Sequence, residues 1–284
     1  MSEAFANIFR DAARCNRDDP RRKGNVVYLD AGCELIVSGD IHGHRRNFAK
    51  ILDYAGLNRP AGCILVLQEI IHGPVDPGSG HDRSAELLLR AARLKATHPE
   101  SVIFLLSNHD AAQLTGNEIT KNGVGQCKSF TEGMAYAFGE DWRKVSAAID
   151  EFFESFAIAI RCANGTFISH SLPSPARMEA AGLEILDRPY RRQDLHRGGA
   201  VYEWLWGRGQ SAEQLDGLAE RLGVEFFVAS HVHVESGYEM RAPRLLLITS
   251  DHDHGCVLRF SADSPLTADT APGLVRPIVA LTKT

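Results

Sequence analysis

Short apolar runs recur along this chain, and each stops at a polar or small residue. Leu35–Val37, Ile64–Leu67, Val102–Leu106, Phe167–Ile168 and Phe226–Ala229 are too short for helices and rich in β-branched or aromatic residues, so they predict buried strands. Val26–Leu29 predicts a further strand, joined to Glu34–Val37 by the turn Asp30-Ala31-Gly32. A period near 3.6 appears elsewhere. Phe5, Ile8, Phe9 and Ala12 mark a short N-terminal helix over 4–13. Phe48, Ile51 and Leu52 mark a helix over 47–55, and a leucine-rich face marks one over 83–96. Residues 130–156 read as helical with a break at Gly139, and 212–222 as one more helix. Asn164-Gly165 predicts a hairpin turn between strands 157–160 and 166–168. From Glu225 onward strands dominate, the last expected over 278–281. Stretches 70–82, 115–126 and 183–199 carry no clear period and predict loops. Strand and helix alternate, which implies a sheet covered by helices in one domain spanning 1–284, with its core over 25–284.

Composition narrows the function classes. The chain has 284 residues, 44% hydrophobic and 24% charged, enough for a sizeable core. A net charge of −5 argues against general nucleic-acid binding. Six cysteines (15, 33, 63, 127, 162, 256) show no C-x-x-C or paired spacing, so reduced thiols and a cytoplasmic location are expected. No apolar run is long enough to span a membrane, and no signal peptide is evident.

The chemistry sits where the strands end. Gly39-Asp40-Ile41-His42-Gly43-His44 follows the first apolar run, and Gln68-Glu69, Ser107-Asn108-His109-Asp110, Ser169-His170 and Ser230-His231-Val232-His233 follow the others. Loops at the carboxyl ends of strands are where open α/β sheets build their sites. Carboxylate, amide oxygen and imidazole together suit Mn, Fe or Zn.

In order and chemistry these blocks resemble the calcineurin-like metallophosphoesterases, whose pattern is Asp-x-His, Gly-Asp, Gly-Asn-His-Asp/Glu, His and Gly-His-x-His. The resemblance spans roughly 26–260. Glu235-Ser236-Gly237-Tyr238-Glu239 is further similar to the serine/threonine phosphoprotein phosphatase branch, with the diadenosine tetraphosphatase-like enzymes beside it. It implies a four-layer αββα sandwich of two mixed sheets flanked by helices. It also implies two metal ions about 3.5–4 Å apart that hold a hydroxide nucleophile. On the family's pattern, Asp40, His42 and His233 would hold one ion. Asn108, His170 and His231 would hold the other, and Glu69 would bridge them. Mn or Fe is the expected metal, with Zn possible.

His109, beside the ligand Asn108, would be the general acid. The family's partner for that His is the second Asp of Asp-x-x-Asp. Here that position holds His72, which is not expected to do the same job at neutral pH, and Asp82 or Asp110 could substitute. Glu69 stands for the family's Asp, while Gln68, Ser107 and Ser230 stand for Gly. The phosphate would meet Arg208, Arg83 or Arg45, and His44 could reach it or cap its loop. The tract 250–254 could extend the metal site, contact substrate or form a polar turn. Substrate is expected to be a phosphoprotein, a nucleotide or a dinucleoside polyphosphate. The alternative is a non-catalytic metal- or phosphate-binding module on a degenerate site.

Overall fold

The computed structural model describes residues 2–58, 63–121, 123–178 and 182–282. Two mixed sheets form its centre. One has seven strands in the order Arg22–Lys23, Val26–Leu29, Ala159–Cys162, Thr166–Ser169, Phe226–Ala229, Leu245–Ile248, Tyr238–Ala242. The other has five, in the order Val275–Pro277, Cys256–Ser261, Glu34–Asp40, Ile64–Gln68, Val102–Leu105.

Side chains of a strand alternate between its two faces, and here both faces are apolar. Leu35, Val37, Ile64, Val66, Phe226, Val228, Leu246 and Ile248 meet in the core between the sheets. Ile36, Leu65, Leu67, Phe104, Phe227 and Leu245 point the other way, into the core shared with the helices. Phe48 and Ile51 of helix Arg45–Ala55 and Leu87 and Leu88 of helix Ser84–Thr97 belong to that outer core. So does Trp204, which packs on Phe167 with centroids 5.8 Å apart. Burial on both faces explains why the strands read as unbroken apolar runs rather than alternating ones. Each large apolar side chain so buried contributes on the order of 1.5–3 kcal/mol.

Several elements depart from the sequence-based expectation. The first helix is longer, Ser2–Arg17, because it packs along helix Trp142–Phe153 through Phe9 and Phe152. The expected last strand over 278–281 is a 3-10 turn, Ile278–Ala280; the strand before it ends at Pro277. The loop 115–126 holds a two-strand hairpin, Thr120–Lys121 with Val124–Gly125, and the loop 70–82 holds another, Val75–Asp76 with His81–Asp82. Helix Ala200–Trp206 is unforeseen: seven residues carry too little period to be seen.

The arrangement decides where the site lies. Glu34–Asp40, Ile64–Gln68 and Val102–Leu105 are parallel neighbours in one sheet. Thr166–Ser169, Phe226–Ala229 and Leu245–Ile248 are parallel neighbours in the other. The sheets are joined at these carboxyl ends. Asp40 bridges to Thr249, Ser250 N donates to Asp40 O, and Gly39 N donates to Ser250 Oγ.

Candidate metal centre

Asp40 reaches its place through a bulge. Between Val37 and Asp40 the strand carries one residue more than its partner, which re-aims the side chains beyond it. Only glycine fits at 39, since a Cβ there would lie 2.3 Å from Ile248 O. After the bulge the chain turns at His42 (φ 42°), and the neighbouring strand ends turn at Glu69 (45°), His72 (62°) and His231 (63°). These four are the non-glycine residues with positive φ among the described residues. Such backbone costs on the order of 1–3 kcal/mol per residue and concentrates at functional sites. The loops are tied to each other: Ile41 N and His42 N both donate to Glu69 O, and Gly43 N to Ile70 O.

Glu69 lies at the centre of the resulting cluster and is almost fully buried. Its Oε2 is 3.6 Å from His170 Nε2 and 3.9 Å from His42 Nε2, and its Oε1 is 3.7 Å from His109 Nε2. It therefore belongs to two groups of converging ligand atoms, His42–Glu69–His109 and Asp40–Glu69–His170. Burial, and then the neighbouring Asp40, push its pKa well above the ordinary carboxylate value. Its Oε1 is buried with no hydrogen-bond partner.

The protons around the cluster are arranged to leave lone pairs facing inward. His42 Nδ1 donates to Ile71 O (3.1 Å), which leaves Nε2 turned toward Glu69. The Gln68 amide donates to Ser38 O (2.8 Å), which turns its Oε1 to accept from His170 Nδ1 (2.9 Å). Burial holds His170 far below the ordinary imidazole pKa, so its Nε2 is bare, 2.7 Å from Asn108 Oδ1. Lone pairs of His42, His170, Asn108 and two carboxylates turned toward one another make a donor set that a cation satisfies. These residues fit a hard or borderline metal ion.

The structure also shows what the departures Gln68, Ser107 and Ser230 do. Gln68 fixes the tautomer of His170. Ser230 Oγ accepts from Asp40 N (3.0 Å) and lies 2.6 Å from Asp40 Oδ1, holding that carboxylate across the seam between the sheets. Ser107 caps helix Asn108–Thr115 in a capping box with Asp110. A polar residue directly before each of four ligand blocks was the signal in the sequence that could have revealed this supporting shell.

Other candidates are placed differently. His231 donates from Nδ1 to Asn108 Oδ1 (2.9 Å), while its Nε2 accepts from Arg208 Nε (3.0 Å). Burial and then Arg208 push its pKa down to about 3. Arg208 thus joins the cluster through His231. His233 is brought together with Asp251 and His252. His252 has both nitrogens engaged, Nε2 with Val234 O and Nδ1 with His254 N.

Arg83 and His44 line a separate cavity. Arg83 is bidentate to Glu86, and His44 caps helix Arg45–Ala55 by accepting from Asn47 N. Arg45, too, pairs with Glu86. Asp82 makes no hydrogen bond with His109; its Oδ1 accepts from Ser84 N at a helix start. Asp110 is engaged by Ser107, and burial pushes its pKa up to about 7. The place beside His109 Nδ1 is taken by His72 Nδ1, at 2.7 Å. A cavity of about 470 Å³ opens on Asp40, His42, Glu69, Asn108, His109 and His231, lined also by Asp251 of the tract 250–254 and by Lys121, which the sequence did not single out.

No protein-family model matches the sequence. Solved structures do match the fold. A serine/threonine phosphatase from Saccharomyces cerevisiae, with similarity to the human phosphatase PP5, superposes with a TM-score of 0.67 at 19% identity, over 91% of this chain and 82% of that one. A cold-active protein-tyrosine phosphatase from a psychrophilic Shewanella superposes with a TM-score of 0.58 at 13% identity, over 89% of this chain and 84% of that one. At such identities the likeness concerns fold: two mixed sheets flanked by helices, the phosphatase sandwich that the sequence motifs imply.

Proposed function

We propose that this chain, folded as a metallophosphatase sandwich, is a metal-dependent phosphoesterase acting on a phosphomonoester or a phosphoanhydride. The observation that supports it most is the position of Glu69 in two groups of converging ligand atoms at once. Asp40, His42, Glu69, Asn108, His170 and His231 would hold two ions, Mn or Fe first and Zn possible, and His233 would approach from the side of Asp251. Bound there, the ions would polarise a phosphoryl oxygen and make water acidic enough to attack near neutral pH.

The protein's own groups do the rest. Arg208, on the cavity wall, carries guanidinium N–H groups that suit phosphate oxygens. His231 can present a bare nitrogen to a cation only once Arg208 lets go of it, so metal binding and the release of Arg208 toward a phosphate would be linked. His109 is held neutral by burial and by the imidazoles His42 and His72. An incoming phosphate dianion reverses that preference, and His109 Nε2 then carries the proton that the leaving oxygen takes. The substrate would be a phosphoprotein, a nucleotide or a dinucleoside polyphosphate.

The test is metal content beside turnover. Protein purified without chelator and reloaded with Mn should approach two equivalents and hydrolyse p-nitrophenyl phosphate. Loading that stops at one equivalent with Mn, Fe, Zn and Co would sink the binuclear reading. Full loading without hydrolysis of either p-nitrophenyl phosphate or a dinucleoside polyphosphate would favour a non-catalytic binding module.

A further inference from the structure

We propose that His72, oriented by Gln113 and Thr131, is the positioning residue for His109, in the place where related enzymes use a carboxylate. The assignment rests on the direction of four hydrogen bonds. Thr131 Oγ1 donates its one proton to Cys127 O (2.8 Å), a carbonyl that can only accept. Its lone pair then accepts from Gln113 Nε2 (3.4 Å), which turns Gln113 Oε1 toward His72 Nε2 (3.2 Å). An amide oxygen accepts, so His72 carries its proton on Nε2 and leaves Nδ1 bare. That nitrogen, 2.7 Å from His109 Nδ1, can only accept the His109 proton. His109 is thereby left with a bare Nε2, 3.7 Å from Glu69 Oε1 and facing the cavity.

A backbone carbonyl on helix Gln126–Phe138 thus decides which nitrogen of His109 looks at the substrate. The rings are held in place as well as in tautomer. His72 is nearly fully buried and packs edge-on against both His109 (4.9 Å) and Phe130 (5.7 Å). Unlike a carboxylate, the neutral His72 orients His109 without adding negative charge beside it.

This inference rests on the phosphoesterase reading for its kinetic half only. In protein labelled with ¹⁵N-histidine, without added metal, His109 should show its proton on Nδ1 and His72 on Nε2. Gln113→Leu removes the acceptor and should mix the His72 tautomers. Gln113→Glu keeps an acceptor for His72 and should preserve the pattern. In the metal-loaded protein, Gln113→Leu should lower kcat about tenfold on an alkyl phosphate and less than twofold on p-nitrophenyl phosphate, with metal content unchanged. Gln113→Glu should recover most of the loss. A wild-type spectrum with the His72 proton on Nδ1 would overturn the proposal, as would equal kinetic losses on both substrates. If the protein turns over neither substrate, the phosphoesterase reading fails, and the spectrum alone still decides the orientation of His109.

Discussion

Glu69 is the side chain on which both halves of the candidate site depend. Substituting Gln keeps its volume and removes the charge that two cations would share. Glu69→Gln is therefore expected to drop the metal content below one equivalent and turnover at least about 100-fold, read by elemental analysis beside an assay. Two tightly held ions with normal turnover in this variant would show that another carboxylate on the cavity wall, such as Asp251, does the bridging. His109 is tested by its leaving group. His109→Asn should retain metal while kcat falls about 10²-fold or more on an alkyl phosphate, and much less on p-nitrophenyl phosphate. At this scale the sequence showed the candidate ligand types and their order, because motif spacing survives any loop conformation. It did not show the partner of His109. That depends on how the loop 70–82 folds back, and the loop brings His72 rather than Asp82 to the ring.

Among the elements, the eight-residue helix Asn108–Thr115 depends most on its cap. Ser107→Ala removes the hydroxyl that accepts from Asp110 N and should cost about 1–2 kcal/mol in urea unfolding; a loss under about 0.3 kcal/mol would mean that the cap is idle. Helix Ser84–Thr97 carries a different device. Lys95 is buried near its end and donates to Pro99 O and Val102 O, holding the helix to the next strand. Burial pushes its pKa down to about 8. Between pH 8 and about 10.5 the unfolded chain keeps a proton that the folded chain has lost. Stability therefore rises with pH across that window, by up to about 3 kcal/mol from this group, and the gain disappears below pH 8. Wild type and Lys95→Gln, unfolded in urea at pH 7.5 and pH 10, should differ in slope accordingly; parallel profiles would refute the shift. The buried strands and longer helices were legible because their period is set by burial. The helix Ala200–Trp206 and the two small hairpins were not, being too short to show a period.

At the scale of the molecule, the candidate ligands divide between the sheets. Asp40, His42, Glu69 and Asn108 follow strands of the five-stranded sheet; His170, His231 and His233 follow strands of the seven-stranded one. The fold was legible from the order of these blocks, but not the seam, since Ser230 and Ser250 meet Asp40 and Gly39 only after both sheets have formed. An ion bound there would stabilise the folded state alone, by about 2.7 kcal/mol at a hundredfold excess over Kd. Chelation should accordingly lower the melting temperature by at least about 5 °C, and readdition of Mn should restore it. A melting temperature indifferent to chelator would mean that the sheets hold together without the metal. The four left-handed non-glycine turns point the same way: they are backbone tension stored in the loops around the site, and the ion would be the clasp that holds it. A cell starved of that metal would then lose more than the reaction rate. Its stock of the protein would dwindle too, as unclasped chains open more often and reach the proteases.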